Sequence, residues 1–167
     1  MPRSIDELAA IFERLGVRNP QAWAKSEIGE NIPQLAGLLF LRQAWTYVVS
    51  EDDRNWPARK RRAEGSKAEA PFDGIGLALA SLLEKGATPE ELIDLVRGVQ
   101  VQLLFNLCYL LDGPAFFSEG LHVQGVGWAL METDGAGQPQ RPMPGLHELV
   151  LGTDPTGREM RPRPVDK

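Results

Sequence analysis

The chain has 167 residues, 43% apolar and 25% charged, with a formal charge of −5 and one cysteine. This length and composition fit one globular domain over 1–167 that buries a core without metal, and they exclude a disulfide-stapled scaffold. The acidic balance argues against nonspecific nucleic-acid binding, which needs a net basic face.

The first sixteen residues interrupt their apolar positions with Asp6, Glu7, Glu13 and Arg14, so they form no secretory h-region. The longest apolar runs, 35–41 and 99–111, fall short of the roughly 20 residues that cross a bilayer. The expectation is a soluble cytoplasmic protein without membrane contact. Lone Cys108 sits comfortably in a reducing compartment.

The elements follow in chain order. Ser4 and Glu7 predict a capping box, and Ile5, Leu8, Ile11, Phe12 and Leu15 make one apolar face ending at Gly16. Asn19-Pro20 predicts a second cap, opening a short helix to Gly29 with Trp23 and Ile28 inward. Asn31 then caps a third helix, whose inward stripe is Leu38, Leu41, Trp45 and Val48. Eleven charged residues fall within 51–70, which reads as an exposed segment with a short helix after Pro57. A fourth helix is expected over 74–85, and a long fifth from Thr88, Pro89 and Glu91 to Asp112-Gly113-Pro114. The short link between these last two predicts a tight antiparallel hairpin. Apolar residues spread nearly all round the fifth helix from Val99 onward, which places it at the centre of a core.

Beyond residue 113 glycine and proline become frequent and the helical period is lost. Residues 126–133 predict a strand ending in the Asp134-Gly135 turn, and Asp154-Pro155-Thr156-Gly157 predicts another turn. Leu146, Leu149, Val150 and Leu151 fit either a strand or a helical turn. The fold class is therefore mainly α, a bundle of about five helices with a small irregular β-containing C-terminal region, α+β overall. Its parts are a helical body at 1–112 carrying the charged segment 51–70, a Gly/Pro-rich cover at 113–160, and a tail at 161–167.

No catalytic set is recognisable. His122 and His147 lack metal-ligand spacing, and Glu148 beside His147 points in a different direction. Glu132, Asp134, Asp154 and Glu148 are carboxylates that convergence would make chemical, but two of them sit where turns require Asp. Cys108 lies on an apolar helix, where desolvation keeps a thiol inert. Nothing signals a phosphate loop, a metal or any other cofactor.

The binding candidates are of two kinds. Arg59, Lys60, Arg61 and Arg62 form a basic run beside Trp56, the composition of an interface hot spot, although flanking acids leave 51–70 close to neutral. Gln102 and Asn106 are four apart on the long helix and share a face, which implies a buried amide network or a polar groove. Three readings follow, in order of preference. The first is a non-enzymatic protein-binding protein, such as a bacterial immunity- or antitoxin-type inhibitor. The second is an enzyme of unfamiliar type using His122, His147, Glu148 and other C-terminal carboxylates. The third is an oligomeric structural subunit.

Overall fold

The computed structural model describes residues 3–63, 73–112 and 127–163. Among them are seven helices: α1 (Ile5–Arg14), α2 (Pro20–Gly29), α3 (Gln34–Trp45), α4 (Trp56–Ala63), α5 (Asp73–Glu84), α6 (Pro89–Leu111) and α7 (Leu146–Gly152). Strands β1 (Met131–Thr133) and β2 (Pro139–Pro142) pair antiparallel, with an irregularity between Met131 and Thr133. The protein is thus mainly α with a small two-stranded sheet near its C-terminus, as composition and periodicity imply. None of the helices described is long and apolar enough to cross a membrane.

Two compact units form. The first combines residues 1–45 with 105–167, and the second spans 46–104. Helix α6 contributes residues to both.

In the first unit α1 packs on α2, α2 on α3, and α3 on α7. The expected capping box starts α1: Ser4 N donates to Glu7 Oε2 at 2.7 Å and Glu7 N to Ser4 Oγ at 3.2 Å. The backbone and side-chain bonds from Ser4 also hold the Glu7 carboxyl below its usual pKa. Leu8, Ala9 and Phe12 bury against Ala24, Leu35 and Leu38, and the Phe12 and Trp23 rings meet edge to face at 5.5 Å. Gly37 lets α7 approach α3, since a Cβ there would stand 3.3 Å from Leu149. Leu41 and Trp45 of α3 are buried, as are Leu146 and Val150 of α7.

Three details depart from the pattern read in the sequence. Helix α2 turns Ala24 and Glu27 inward and leaves Ile28 exposed. Asn19 adopts a left-handed conformation at φ 61° and gives no side-chain cap, although Pro20 does open the helix. Asn31 does not cap α3 either: Glu27 Oε2 accepts the Leu35 amide at 2.8 Å, while Asn31 Oδ1 accepts from Arg141. A carboxylate from the preceding helix thereby satisfies one orphan donor of α3.

The second unit is built on α6. Thr88 and Glu91 form the expected cap, with Glu91 N donating to Thr88 Oγ1 at 3.2 Å and Thr88 N to Glu91 Oε2 at 2.8 Å. Arg97 Nη1 donates to Val49 O at 2.9 Å, and Gln100 Oε1 accepts the Val49 amide at 2.8 Å. These side chains fix the segment after α3, where Pro57 is fully buried and α4 packs on α5. Helices α5 and α6 flank an open cleft rather than closing into the tight hairpin that their short link predicts.

Helix α6 is not apolar-buried all round. Its inner stripe is Ile93, Arg97, Val101 and Cys108, whereas Leu95, Val99 and Leu103 are 61%, 59% and 56% exposed. Gln102 and Asn106 lie on the exposed side too, so they form no buried amide network. Composition alone exaggerates burial here, because a helix packed on one side leaves its other apolar residues facing solvent.

Candidate functional site

The residues that sequence reasoning nominates for chemistry go to different structural tasks. Asp134 makes the β1–β2 turn, its Oδ1 accepting the Ala136 and Gln138 amides, each at 2.9 Å. Glu132 accepts from Arg141 Nε at 2.5 Å. Asp154 is buried inside its own loop, where Oδ1 accepts the Thr156 amide at 3.1 Å. Its Oδ2 takes the Thr156 hydroxyl at 2.7 Å and the Met160 amide at 3.1 Å. Glu148 is exposed on α7. His122 lies outside the described residues, as do the glycines of the 120–127 loop up to Gly125. Among the described residues no three metal-ligating side chains group together.

His147 has a partner that the sequence did not suggest. Its Nδ1 donates to Asp112 Oδ2, while Asp112 Oδ1 accepts the Leu146 amide at 3.1 Å. Asp112, at the C-terminal end of α6, therefore caps α7, whose own cap residue Gly145 has no side chain to offer. The rings of Tyr109 and Phe105 contact the imidazole edge-on, at 4.9 and 5.7 Å. This arrangement orients the imidazole and selects the tautomer whose Nε2 carries the lone pair. Trp128, within the stretch expected to be a strand, precedes β1, is 39% exposed and donates to Leu110 O at 2.6 Å, satisfying a free carbonyl of the last α6 turn.

Cys108 lies one turn before Asp112 and is fully buried. Burial, with the Asp112 charge adding, pushes its thiol up to about 11 from an ordinary 9.0. At neutral pH it stays protonated and serves as a small core residue. Alkylation by iodoacetamide at pH 8 is expected to be about 100-fold slower in the folded protein than in the urea-unfolded chain. Equal rates would show that α6 opens readily at this point.

The basic run is only partly available. Arg59 is bound to Asp53, with Nη1 to Oδ1 at 3.2 Å, and the bond from Arg59 holds the Asp53 carboxyl below its usual pKa. Lys60 is half-buried and Arg61 exposed; the Arg62 side chain lies outside the described residues. Trp56, expected to be exposed, is half-buried and lines the α5–α6 cleft with Arg59 and Lys60. That cleft has a volume of about 900 Å³ and apolar walls that include Ile75, Leu79, Leu82, Leu92 and Leu95.

The polar centre that sequence reasoning missed altogether is the Arg141 cluster of the first unit. Arg141 Nη2 donates to Glu27 Oε1 at 2.8 Å, Nη1 to Asn31 Oδ1 at 3.1 Å, and Nε to Glu132. Burial works against this charge, but the bonds to Glu132 and Glu27 outweigh it and raise the guanidinium pKa. The available signal is faint: an arginine alternating with outward residues between two prolines, in a strand too short to bury an apolar face. The cluster ties β2 to α2 and occupies its own donors, which makes it a brace. No protein-family model matches the chain, and neither does any curated protein or solved structure.

Proposed function

We propose that this is a non-enzymatic protein-binding protein that engages its partner through the α5–α6 cleft of the second unit. The observation that supports this is an open apolar cleft with a basic edge. Its apolar walls include Ile75, Leu79, Leu82, Leu92 and Leu95, and α4 brings Arg59 and Lys60 to its lining. Arg59 is paired with Asp53, which lines the cleft too. Such a cleft suits the apolar side of an amphipathic helix whose flanking carboxylates meet α4. Trp56 supplies an aromatic anchor, and exposed Gln102 adds an uncharged polar group on α6. A bacterial, cytoplasmic inhibitor of the immunity or antitoxin type is the finer version of this reading, and it rests on size and net acidity.

Two designed amphipathic peptides test the proposal, one Leu/Glu and one Leu/Lys, with Trp56 fluorescence as the signal and a Trp56→Phe control. The Leu/Glu peptide is expected to bind about tenfold tighter, and Leu82→Asp to abolish binding. Equal binding of both peptides, no binding of either, or indifference to Leu82→Asp overturns it.

Two other readings each draw on one observation. Asp112–His147 is the only oriented base among the described residues that favours the enzyme alternative. The exposed side of α6 favours an oligomeric subunit; a purely monomeric chain in light scattering would sink that version.

A further inference from the structure

The first unit holds a separate cavity of about 710 Å³, between the α1–α2 corner, α3 and the loop that follows α7. Its inner lining includes buried Leu38 and Trp45 and half-buried Trp23; exposed Arg18 and Arg42 stand on the solvent side. This volume is within the roughly 300–1,000 Å³ of small-molecule sites, whose usual plan is apolar walls with a few placed polar groups.

The charges here are unevenly spent. Asp154 has both oxygens engaged by Thr156 and Met160, and Glu159 Oε2 accepts from Arg161 Nη2 at 2.7 Å. Among the described residues Arg42 donates only to a neutral acceptor, the carbonyl of Leu15. Arg18 has no hydrogen-bond or ion-pair partner among the described residues. The two carboxylates of the lining are therefore committed to their own loop, while two guanidinium charges face the cavity uncompensated by either.

One wall is preformed. Glu159 and Met160 are held at φ 54° and 60°, a left-handed conformation that costs a non-glycine residue energy and persists only when its surroundings enforce it. The Asp154 bonds enforce it. Gly157, at φ 69°, leaves room for the Arg18 guanidinium, whose Nη2 lies 3.3 Å from where a Cβ would stand. Strain of this kind gathers at ligand clamps.

We propose that this cavity binds a small organic anion, with a flat apolar body against Trp23 and Trp45 and a carboxylate or phosphate head on Arg18 and Arg42. Charge-assisted bonds from guanidinium to such a head supply selectivity, and indole faces accept the ring without specifying it. The site lies in the other unit from the proposed protein-binding cleft and does not depend on it.

The probes are 2-naphthoate and its neutral isostere 2-naphthamide, followed by calorimetry and by the indole N–H resonances in NMR. The Trp45 Nε1 proton, which donates to Thr153 Oγ1 at 3.0 Å, reports this cavity, and Trp56 reports the other unit. Naphthoate is expected to bind about tenfold tighter than naphthamide, to shift Trp45, and to lose about tenfold in affinity in Arg18→Gln. Arg18 is exposed and has no hydrogen-bond or ion-pair partner among the described residues, so this variant keeps the fold. Equal affinities, shifts confined to Trp56, an unchanged Arg18→Gln, or no binding of naphthoate or 1-naphthyl phosphate at about 1 mM overturns the proposal.

Discussion

Arg141→Met is expected to destabilise the folded protein by about 3 kcal/mol, seen as a fall in Tm of about 6–12 °C for a chain of this length. The loss comes less from the bonds broken than from the charge left behind. Glu27 is 5% exposed and pairs with no other cation among the described residues, so its carboxylate remains desolvated and half-satisfied once the guanidinium is gone. Its second oxygen still caps α3 through Leu35, which prevents the side chain from swinging out to water without uncapping that helix. Glu27→Gln in the same background tests the argument. A neutral amide can still accept the Leu35 N–H and no longer needs a cation, so the double variant should recover about 1–2 kcal/mol relative to the sum of the single changes. A cost below about 0.5 kcal/mol for Arg141→Met would place the cluster among surface ion pairs that contribute almost nothing.

Asp154→Ala is expected to cost about 2–3 kcal/mol, since a buried carboxylate that accepts three hydrogen bonds leaves all three donors unpaired when removed. Two of those donors are backbone amides of a loop that places Glu159 and Met160 in the left-handed region. Without the acceptor nothing offsets that conformation, and the loop should relax. Trypsin then cuts faster after Arg158, while hydrogen exchange in α1 and α2 slows or quickens only with global stability. Asp154→Asn keeps one acceptor oxygen and should lose about half as much. Faster cleavage without any fall in Tm would confine the role of Asp154 to the loop; neither effect would remove it as an organiser.

What the sequence made legible was local. The Ser4/Glu7 and Thr88/Glu91 boxes need only residues three apart, and both occur as read. The α1 stripe and the inward Leu38, Leu41 and Trp45 of α3 were readable for the same reason, because one face with many apolar residues has one way to turn. Helix α6 defeated this logic. With leucine and valine on every side, its periodicity does not say which side is covered, and the answer turned out to include Arg97 inside and Val99 outside. The short run at 146–151 had no period at all; it is a helix because Asp112, 34 residues earlier, caps it. Of the candidate binding residues, Trp56, Arg59 and Lys60 come together at one cleft, whereas Gln102 and Asn106 lie out along α6. The Arg18–Arg42 cavity was invisible, since its residues arrive from three separated stretches and none forms a motif.

The first unit is assembled from two lengths of chain that the ribosome makes far apart in time. Glu27 meets Arg141 across 114 positions, and Trp45 meets Thr153 across 108. At about 5–20 residues per second, the α1–α3 layer waits roughly 5–20 s for these partners. During that interval Trp45 and Leu41 lack the α7 residues that cover them, and Glu27 holds its cap without a counter-ion. A nascent chain stalled before residue 139 should therefore be a good client for a holding chaperone, and release should come only as β2 and α7 clear the exit tunnel.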